Sequence, residues 1–218
     1  MKKAIVYGAS GLVGSYILET LLNSPDYEQI IAVVRKDLNI RHAKLLTLAG
    51  DFSSLPDLTK GIAVDEVYIA LGTTRKKTPD QKEYYRIDHD YPVLAAKSAK
   101  ENGAKTVLLV SSIGANTKSK AFYTRTKGET EQDIINLDFD HTCIFRPSLI
   151  LGNRKEKRII EKTFMAVWKV INPVLSGKMN KYKGIEAKNI ARAMVGAANH
   201  PDGKMKIFYW KEMMDLQS

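Results

Sequence analysis

The feature that most constrains this chain is a run of three glycines near its start. The stretch "GASGLVG" places Gly8, Gly11 and Gly14 between the apolar run "AIVY" and the helical pattern "SYILETLL". At a strand-to-helix turn, the first glycine permits the tight turn, the second lets a pyrophosphate approach the backbone, and the third lets the helix pack on the sheet. The helix N-terminus adds free N–H groups and the positive end of its dipole. The turn therefore predicts a dinucleotide site. Its expected contacts are Gly8, Ser10, Gly11, Leu12, Val13 and Gly14.

Short β-branched runs alternate with longer helical patterns as far as Pro147. Strands are predicted at 3–7, 29–34, 44–50, 66–71, 105–112 and 141–147, and helices at 11–23, 80–103 and 121–136. The early strands are continuous apolar runs, as expected when helices cover both faces of a parallel sheet. The repeated alternation predicts an α/β fold with a doubly wound parallel sheet. Pro92 lies inside the pattern at 80–103, so we expect a kink or two abutting helices there.

After Pro147 the pattern becomes irregular. Two further helices are predicted near 155–172 and 187–199, and a strand at 206–210. No repeat or linker divides the chain. We therefore expect a single domain over 1–218, in which 148–218 form a small C-terminal lobe that contributes to a substrate site or an interface.

The net charge is +10, from 34 basic and 24 acidic residues. This balance fits either a solvated lysine-rich surface or an anionic partner such as a phosphorylated cofactor, nucleic acid or an acidic membrane. The longest basic stretch, "NRKEKR" at 153–158, is short and interrupted by Glu156. Such a stretch is a weak nucleic-acid footprint, so we expect no nucleic-acid partner.

The remaining composition leads us to expect a cytoplasmic protein. The single cysteine, Cys143, lies in the apolar run "TCIF" and should be a small buried hydrophobe. The first apolar run is too short for a signal-peptide core. The most apolar long stretch, 164–175, is interrupted by Lys169 and Pro173, so no membrane span is expected. The four histidines lack metal-ligand spacing, so no metal site is expected either.

The end of the second predicted strand indicates which dinucleotide is bound. Sites for NAD usually place Asp or Glu there, to bind the ribose 2′-hydroxyl. This chain has Arg35 and Lys36 instead, and a guanidinium suits a 2′-phosphate through planar, charge-assisted hydrogen bonds. NADP(H) is therefore favoured over NAD(H). Asp37 leaves NAD open, and simple solvation also explains both cations.

Three further segments follow predicted strands and should meet at the carboxyl edge of the sheet, where such folds bind ligands. They are "GDF" at 50–52, "LGTTRKK" at 71–77 and "SSIGA" at 111–115. Turns and helix caps also favour Asp, Ser and Thr, so each segment has a purely structural explanation as well.

Tyr123 and Lys127 lie four residues apart in "YTRTK" and would share one face of the helix predicted at 121–136. An ammonium beside a phenol favours the phenolate, so Tyr123 could exchange a proton with a substrate oxygen near neutral pH. Ser111 or Ser112, at the end of the preceding strand, could hydrogen-bond the same oxygen. Among 10 tyrosines, a lysine four residues later is expected about once by chance, so the spacing alone is not evidence. The evidence is the position of this pair, on the helix that follows a strand ending in Ser-Ser.

Together, the three glycines, the Ser111–Ser112 pair and Tyr123-x-x-x-Lys127 resemble the short-chain dehydrogenase/reductase superfamily, in its extended or atypical branch. More closely, "LGTTR", "RIDHDYP", "LLVSSIGAN", "YTRTKGETE" and "IFRPSLILG" are similar to the TIP30 oxidoreductase-like group of that superfamily. The resemblance runs from residue 3 to residue 152, and more loosely to residue 198.

The resemblance implies a Rossmann-type fold that binds NADP(H) across the strand ends. It implies that Tyr123 is the acid/base, that Lys127 binds the nicotinamide ribose and tunes Tyr123, and that Ser112 polarises a substrate carbonyl. The implied cofactor contacts are Asp51 and Phe52 at the adenine, Leu71, Gly72, Thr73, Thr74, Ser111 and Lys127 along the cofactor, and Arg146 and Pro147 on the nicotinamide side. Where the superfamily commonly has Asn, on the helix before the fifth strand, this chain has Asp88.

Two classes of function fit these residues. The first is an NADP(H)-dependent oxidoreductase, in which hydride passes between nicotinamide C4 and the carbon of a small carbonyl or alcohol while Tyr123 handles the proton. The second is an NADP(H)-binding regulatory or protein-interaction module with little or no turnover, as several atypical members of the superfamily are. An isomerase or epimerase that retains NAD fits the fold but not Arg35. The chain is compatible with a homo-oligomer.

Overall fold

Seven parallel strands form the central sheet of the structure, a computed structural model that describes residues 1–152 and 177–217. The strands in these residues are β1 Lys2–Tyr7, β2 Tyr27–Val34, β3 Leu45–Ala49, β4 Glu66–Ile69, β5 Thr106–Val110, β6 His141–Phe145, β7 Leu149–Leu151, β8 Gly184–Glu186 and β9 Met205–Phe208. The main sheet has the order β3-β2-β1-β4-β5-β6-β9, and β7 and β8 form a separate small sheet. All neighbouring pairs are parallel. The strand order reverses beside β1, which confirms the predicted doubly wound, Rossmann-type fold.

Helices cover both faces of this sheet. They are α1 Leu12–Asn23, α2 Leu55–Thr59, α3 Gln81–Tyr85, α4 Tyr91–Glu101, α5 Phe122–Asn136, α6 Ala187–Asn199 and α7 Trp210–Asp215. Short 3-10 turns occupy Phe52–Ser54 and Gly177–Tyr182. Helices α1 and α6 pack together on one face, while α2, α4 and α5 cover the other.

Each central strand contributes to two hydrophobic cores, one on each face of the sheet. In β1, Ala4 and Val6 belong to the core with α1 and α6, whereas Ile5 and Tyr7 belong to the core with α2, α4 and α5. Successive side chains of a strand point to opposite faces, so a strand covered on both faces is apolar throughout. Cys143 is buried in the first core, as predicted, and burial raises the pKa of its thiol to about 12.

The helix predicted at 80–103 is two α-helices, α3 and α4, joined by a π-helical segment at Arg86–Asp90. Pro92 follows this segment and has no N–H to donate. The Tyr91 N–H bonds to the carbonyl of Arg86, five residues earlier. The expected disturbance at Pro92 is therefore present, as a widened turn between abutting helices. Such π turns are frequent at functional sites, and this one carries Asp88.

The C-terminal residues complete the main sheet. The strand predicted at 206–210 is β9, which pairs with β6, and the helix predicted at 187–199 is α6. The patterns did not predict β7 and β8, because each has only three residues. The helix predicted at 155–172, the stretch at 164–175 and "NRKEKR" lie outside the described residues. Within 1–152 and 177–217, none of the helices combines the length and the apolar character needed to span a bilayer.

Candidate cofactor and substrate site

The glycine turn lies where β1 meets α1, at the carboxyl edge of the sheet. Gly8 has a φ of +88°, and a Cβ there would lie 2.5 Å from the Ala70 carbonyl oxygen. A Cβ on Gly14 would collide with the carbonyl of Gly8. Backbone conformation and packing therefore require both of these glycines. A Cβ on Gly11 would lie 3.1 Å from the Gly8 carbonyl oxygen, so the fold excludes it less strongly, and the approach of a ligand is the larger demand there.

The N-terminus of α1 is open to an anion. Gly11 is its N-cap and has no side chain to cap it, and the first turn holds no acidic residue. The first N–H groups of the helix, at Leu12 and Val13, have no carbonyl within the helix to bind. Ser10 is exposed on the same turn. These free donors and the positive end of the helix dipole fit the pyrophosphate of a dinucleotide.

Arg35 and Lys36 are exposed directly after β2. In the part of the chain that the structure describes, Arg35 makes no hydrogen bond or ion pair. Asp37 instead makes its contacts within the loop after β2. It accepts the Asn39 N–H at 3.0 Å and pairs with Arg41 at 3.5 Å, and these contacts hold the pKa of Asp37 below its usual value. Arg35 and Lys36, rather than Asp37, are thus the side chains left available to a ligand at the end of β2.

The loops after β3 and β4 bring further polar groups to this edge. Asp51 accepts the Phe52 N–H at 2.8 Å, and the Phe52 ring stacks on Tyr91 with centroids 4.7 Å apart. Leu71 and Thr74 are half-buried after β4. The Thr74 hydroxyl is buried and has no hydrogen-bond partner among the described residues. Because such a hydroxyl is costly to leave unpaired, it fits a ligand that supplies the missing partner.

A buried ion pair lies at the centre of this edge. Lys127 Nζ is 2.8 Å from Asp88 Oδ1, and the two residues are 6% and 1% exposed. Asp88 Oδ2 accepts the Thr73 N–H at 2.8 Å. Gly72 passes over the pair, since a Cβ there would lie 3.4 Å from Asp88 Oδ1. The pair therefore joins the π segment, α5 and the loop after β4.

Tyr123 lies one turn before Lys127 on α5, as the sequence predicted, and is 42% exposed. Burial alone would lower the pKa of Lys127, but Asp88, Tyr123 and Glu131 outweigh it and leave that pKa above its usual value. The ammonium is therefore charged at neutral pH. The Asp88 carboxylate balances part of this charge, which the helical spacing of Tyr123 and Lys127 did not predict.

The Ser111 hydroxyl is occupied by a second buried carboxylate. It donates a hydrogen bond to Glu131, which also binds the guanidinium of Arg146 through two oxygens. Arg146 Nη1 donates to the Tyr209 hydroxyl at 3.0 Å. The guanidinium expected beside the nicotinamide is therefore held by Glu131 and Tyr209.

Ser112 has more freedom than Ser111. Its hydroxyl makes one long hydrogen bond, 3.3 Å, to the carbonyl of Ile113. The Ile113 N–H in turn donates to the carbonyl of Pro147 at 3.0 Å, which ties the loop after β5 to the loop after β6. Of the two serines, Ser112 is the one whose hydroxyl is available to a substrate oxygen.

A cavity of about 490 Å³ opens between the loop after β4 and the start of α5. Thr73 and Thr74 line one side, and Phe122 and Tyr123 line the other. A cavity of this size suits a small molecule. The Tyr123 phenol therefore stands beside a space that a small substrate would fit.

Sequence reasoning missed two residues of this region, Glu131 and Tyr84. Glu131 lies four residues after Lys127, so the periodicity that joined Tyr123 to Lys127 also pointed to it. Tyr84 lines the cavity, but no local pattern assigns it there, whereas Arg75 belongs to the segment 71–77 that was expected at this edge. Within the described ranges, no group of three or more His, Cys, Asp or Glu side chains is placed to hold a metal ion.

Comparison with known proteins identifies the family. A family model described as NAD(P)H-binding matches residues 8–201. The protein named FMP52, mitochondrial, of Candida albicans is 45% identical over 156 residues, which cover 69% of this chain and 68% of that protein. The fmp52 protein of Emericella nidulans is 32% identical over 221 residues, which cover 96% of this chain and 95% of that protein.

Solved structures share the fold at low sequence identity. MoeE5 in complex with UDP-glucose and NAD has a TM-score of 0.70 and 17% identity, over 98% of this chain and 80% of that chain. The Bordetella bronchiseptica enzyme WbmH in complex with NAD+ has a TM-score of 0.70 and 18% identity, over 99% and 79% of the two chains. At this level of identity the likeness shows the Rossmann-type fold alone.

The relatives correct one expectation. They are named mitochondrial, so the expectation of a cytoplasmic protein is wrong. Amino-acid composition does not specify a compartment within the cell. The family match confirms the resemblance drawn from the glycine turn and from Tyr123-x-x-x-Lys127. The chain therefore belongs to the NAD(P)H-binding family and has a Rossmann-type fold.

Proposed function

We propose that the protein is an NADP(H)-dependent oxidoreductase of the atypical short-chain dehydrogenase/reductase type, acting on a small carbonyl or alcohol. The observation that carries this proposal is the placement of Tyr123. Its phenol is partly exposed on the wall of a cavity and lies one helical turn from the buried ammonium of Lys127. The family match supports cofactor binding, and the names of the relatives support a mitochondrial location.

The cofactor would lie along the carboxyl edge of the sheet. Its pyrophosphate would rest on the N-terminus of α1, and Arg35 would bind the 2′-phosphate. The unpaired Thr74 hydroxyl would meet a cofactor oxygen. Arg146 would contribute through its backbone, because its guanidinium is bound to Glu131. The proposed contacts are Gly8, Ser10, Gly11, Leu12, Val13, Gly14, Arg35, Asp51, Phe52, Leu71, Gly72, Thr73, Thr74, Ser111, Lys127, Arg146 and Pro147.

Held at this edge by the glycine turn and the loops after β4 and β5, NADP(H) would supply the hydride for a carbonyl carbon or accept it from an alcohol carbon. Tyr123 donates its proton to the carbonyl oxygen, or accepts the proton of the alcohol in the reverse direction. Ser112 donates a hydrogen bond to the same oxygen and stabilises the charge that develops there. The Lys127 ammonium lies one helical turn away and would stabilise the negative charge that develops on the phenol oxygen during this transfer, and Asp88 balances part of that positive charge.

The ion pair of Asp88 and Lys127 favours a second candidate. With the carboxylate 2.8 Å from Nζ, the ammonium acts less strongly on Tyr123 than an unpaired lysine would. The protein would then be an NADP(H)-binding regulatory or interaction module, in which the cofactor changes contacts with a partner and turnover is low or absent.

The first experiment is a titration of the purified protein with NADPH and with NADH, following nicotinamide fluorescence. Arg35→Ala removes one charge-assisted contact, so we expect NADPH affinity to fall about tenfold and NADH affinity to stay the same. Lys97→Ala removes an exposed cation from α4 and is the matched control. No binding of either cofactor would overturn the oxidoreductase proposal. Equal affinities for the two would overturn only the preference for NADP(H).

A screen of carbonyl compounds with NADPH then separates the two candidates. Tyr123→Phe keeps the ring but removes the hydroxyl, so turnover should fall about a hundredfold or more while cofactor affinity is unchanged. Tyr182→Phe is the matched control, since Tyr182 is 39% exposed and Tyr123 is 42% exposed. Turnover that survives Tyr123→Phe would exclude Tyr123 as the acid/base. Tight NADPH binding without reduction of any carbonyl would favour the regulatory module.

A further inference from the structure

Among the described residues that line the cavity beside Tyr123, Arg75 is the one charged side chain. It lies in the loop after β4 and is followed by two more exposed cations, Lys76 and Lys77. None of the described lining residues is a carboxylate. The cavity therefore presents positive charge to whatever enters it.

The charge of Arg75 is not balanced by the acidic residues that follow it in the chain. Asp80 caps α3 by accepting the Glu83 N–H at 2.8 Å. The Glu83 carboxylate pairs with Arg86 at 2.9 Å. In the described parts of the chain, Arg75 itself has no hydrogen bond or ion pair. A guanidinium held at a cavity wall without a partner is suited to an anion, because it offers a planar set of donors that matches carboxylate or phosphate oxygens.

The other walls of the cavity are largely apolar. Tyr84 and Phe122 meet edge to face with their ring centroids 5.7 Å apart, and Pro79 lies beside them. Such walls favour an apolar molecular body, while a few polar groups fix its orientation. Tyr123 is on the same wall as Phe122, so a body packed on these rings would bring its reacting oxygen to the phenol.

We propose that this cavity binds a carbonyl or alcohol substrate that has an apolar body and an anionic group, a carboxylate or a phosphate, and that Arg75 binds the anionic group. The proposal rests on the proposed oxidoreductase function and names its substrate class. Arg75 is a specificity residue in this arrangement: it holds the end of the substrate remote from the carbon that exchanges hydride. The rest of the substrate packs on Phe122 and Tyr84.

The test uses matched probes that differ only in charge. One pair is para-formylbenzoate and its methyl ester, and a second is an ω-oxo fatty acid and its methyl ester. Para-formylphenyl phosphate distinguishes a phosphate from a carboxylate. Calorimetry measures the affinity of each probe for the full chain, with and without saturating NADPH. We expect at least one anionic probe to bind about tenfold more tightly than its neutral counterpart, and Arg75→Gln to abolish that difference while the affinity for the neutral counterpart stays the same.

Two further variants make the result specific. Arg75→Lys keeps the charge and should retain part of the preference, whereas Lys97→Gln removes an exposed charge from α4 and should retain all of it. Arg75→Gln should leave NADPH affinity unchanged. A loss of NADPH affinity would assign Arg75 to the cofactor and overturn the inference.

The outcomes separate this inference from the proposed function. Failure to bind NADPH or NADH would remove the proposed function, while the anion preference is still measured on the protein without cofactor. Cofactor binding together with equal affinities for charged and neutral probes, or no binding of any probe, would overturn the substrate class. An anion preference that persists in Arg75→Gln would overturn the role of Arg75.

Discussion

Lys2 and Glu66 meet at the amino edge of the main sheet, whereas Lys127 and Asp88 meet at its carboxyl edge, and the nitrogen–oxygen distance is 2.8 Å in both pairs. Each carboxylate is almost completely buried. The chemistry of the two pairs is the same. What differs is the set of groups around them, and that set is determined by the edge of the sheet at which each pair lies.

At the amino edge, the protein itself supplies all the partners that Glu66 needs. Glu66 Oε2 accepts the hydroxyls of Tyr27 and Tyr68 at 2.7 and 2.8 Å. Burial and then the Glu66 carboxylate raise the pKa of both phenols, so they remain protonated donors. Lys2 also donates to the Ala198 carbonyl at 3.2 Å, which ties β1 to the end of α6. This network is closed and structural.

At the carboxyl edge, the corresponding pair has a cavity beside it. Asp88 and Lys127 lie under Gly72, and Tyr123 extends from the same helix to the cavity wall. In a parallel sheet the carboxyl ends of the strands lead into the helix N-termini and the loops that bind ligands. A buried lysine–carboxylate pair is therefore a structural tie at one edge and part of a candidate site at the other.

The largest expected loss of stability follows from a substitution in the pair at the amino edge. Glu66→Ala removes the acceptor shared by two buried phenol hydroxyls, which keep only their 2.9 Å contact with each other, and it leaves the space of a buried side chain empty, so the free energy of unfolding should fall by about 3 kcal/mol in urea denaturation. Lys2 adds little to this loss, because its side chain is 36% exposed and can turn towards water. Cofactor affinity of the folded protein should not change. A loss below about 1 kcal/mol, or weaker NADPH binding, would break the comparison between the two edges.

An intermediate loss of stability is expected from a substitution in the pair at the carboxyl edge. Asp88→Asn keeps an oxygen for the Thr73 N–H but no longer balances Lys127, so the free energy of unfolding should fall by about 2 kcal/mol. Saturating NADPH should then stabilise Asp88→Asn more than it stabilises the wild type, because the freed ammonium is available to the ribose hydroxyls. In Glu66→Ala, saturating NADPH should raise the unfolding temperature by the same amount as in the wild type. Equal increments in all three proteins, measured by thermal unfolding, would contradict a ligand-facing role for Lys127.

The smallest expected effect is a pH dependence. Because the pKa of Lys127 is raised in the folded state, its stabilising contribution is complete below the unfolded value of 10.5 and is lost as the pH rises through the folded value. The stability of the wild type should therefore show no loss from Lys127 between neutral pH and about pH 10, and should fall above it. In Asp88→Asn, burial acts without the opposing carboxylate and lowers the pKa of Lys127, so the gap between the two proteins should begin to close at a lower pH. Urea denaturation across this range measures both stabilities, and a gap that is independent of pH up to about pH 10 would assign the effect to another group.

The parts of the molecule that follow from local patterns could be predicted from the sequence. The glycine turn, the strands buried on both faces and the shared face of Tyr123 and Lys127 each depend on residues only a few positions apart. The pairing of Asp88 with Lys127 could not be predicted in this way, because it joins two helices through the fold. The distinction between Ser111 and Ser112 likewise depends on Glu131, which reaches Ser111 from α5.

The order of the strands in the sheet could not be predicted from local patterns either. The strand pattern near the C-terminus was visible, but nothing local indicates that β9 pairs with β6. The three-residue strands β7 and β8 are joined across a long separation, Leu149 with Gly184, and each is too short to show a strand pattern. The cavity is formed by the loop after β4, α3 and the start of α5, so the sequence placed Arg75 at the carboxyl edge of the sheet but could not place it on a cavity wall.

The π turn at Arg86–Asp90 makes the length of this helix as important as its composition. One residue corresponds to about 100° of rotation in an α-helix. Deleting a single residue after Asp88 in this turn would restore regular α-helical spacing, and it would rotate Asp88 by that angle relative to α4. The carboxylate would then leave Lys127 and Thr73 although no functional residue had been substituted. Insertions and deletions in this turn should therefore be as damaging as point substitutions in the site, whereas similar changes at an exposed loop tip would leave the site intact.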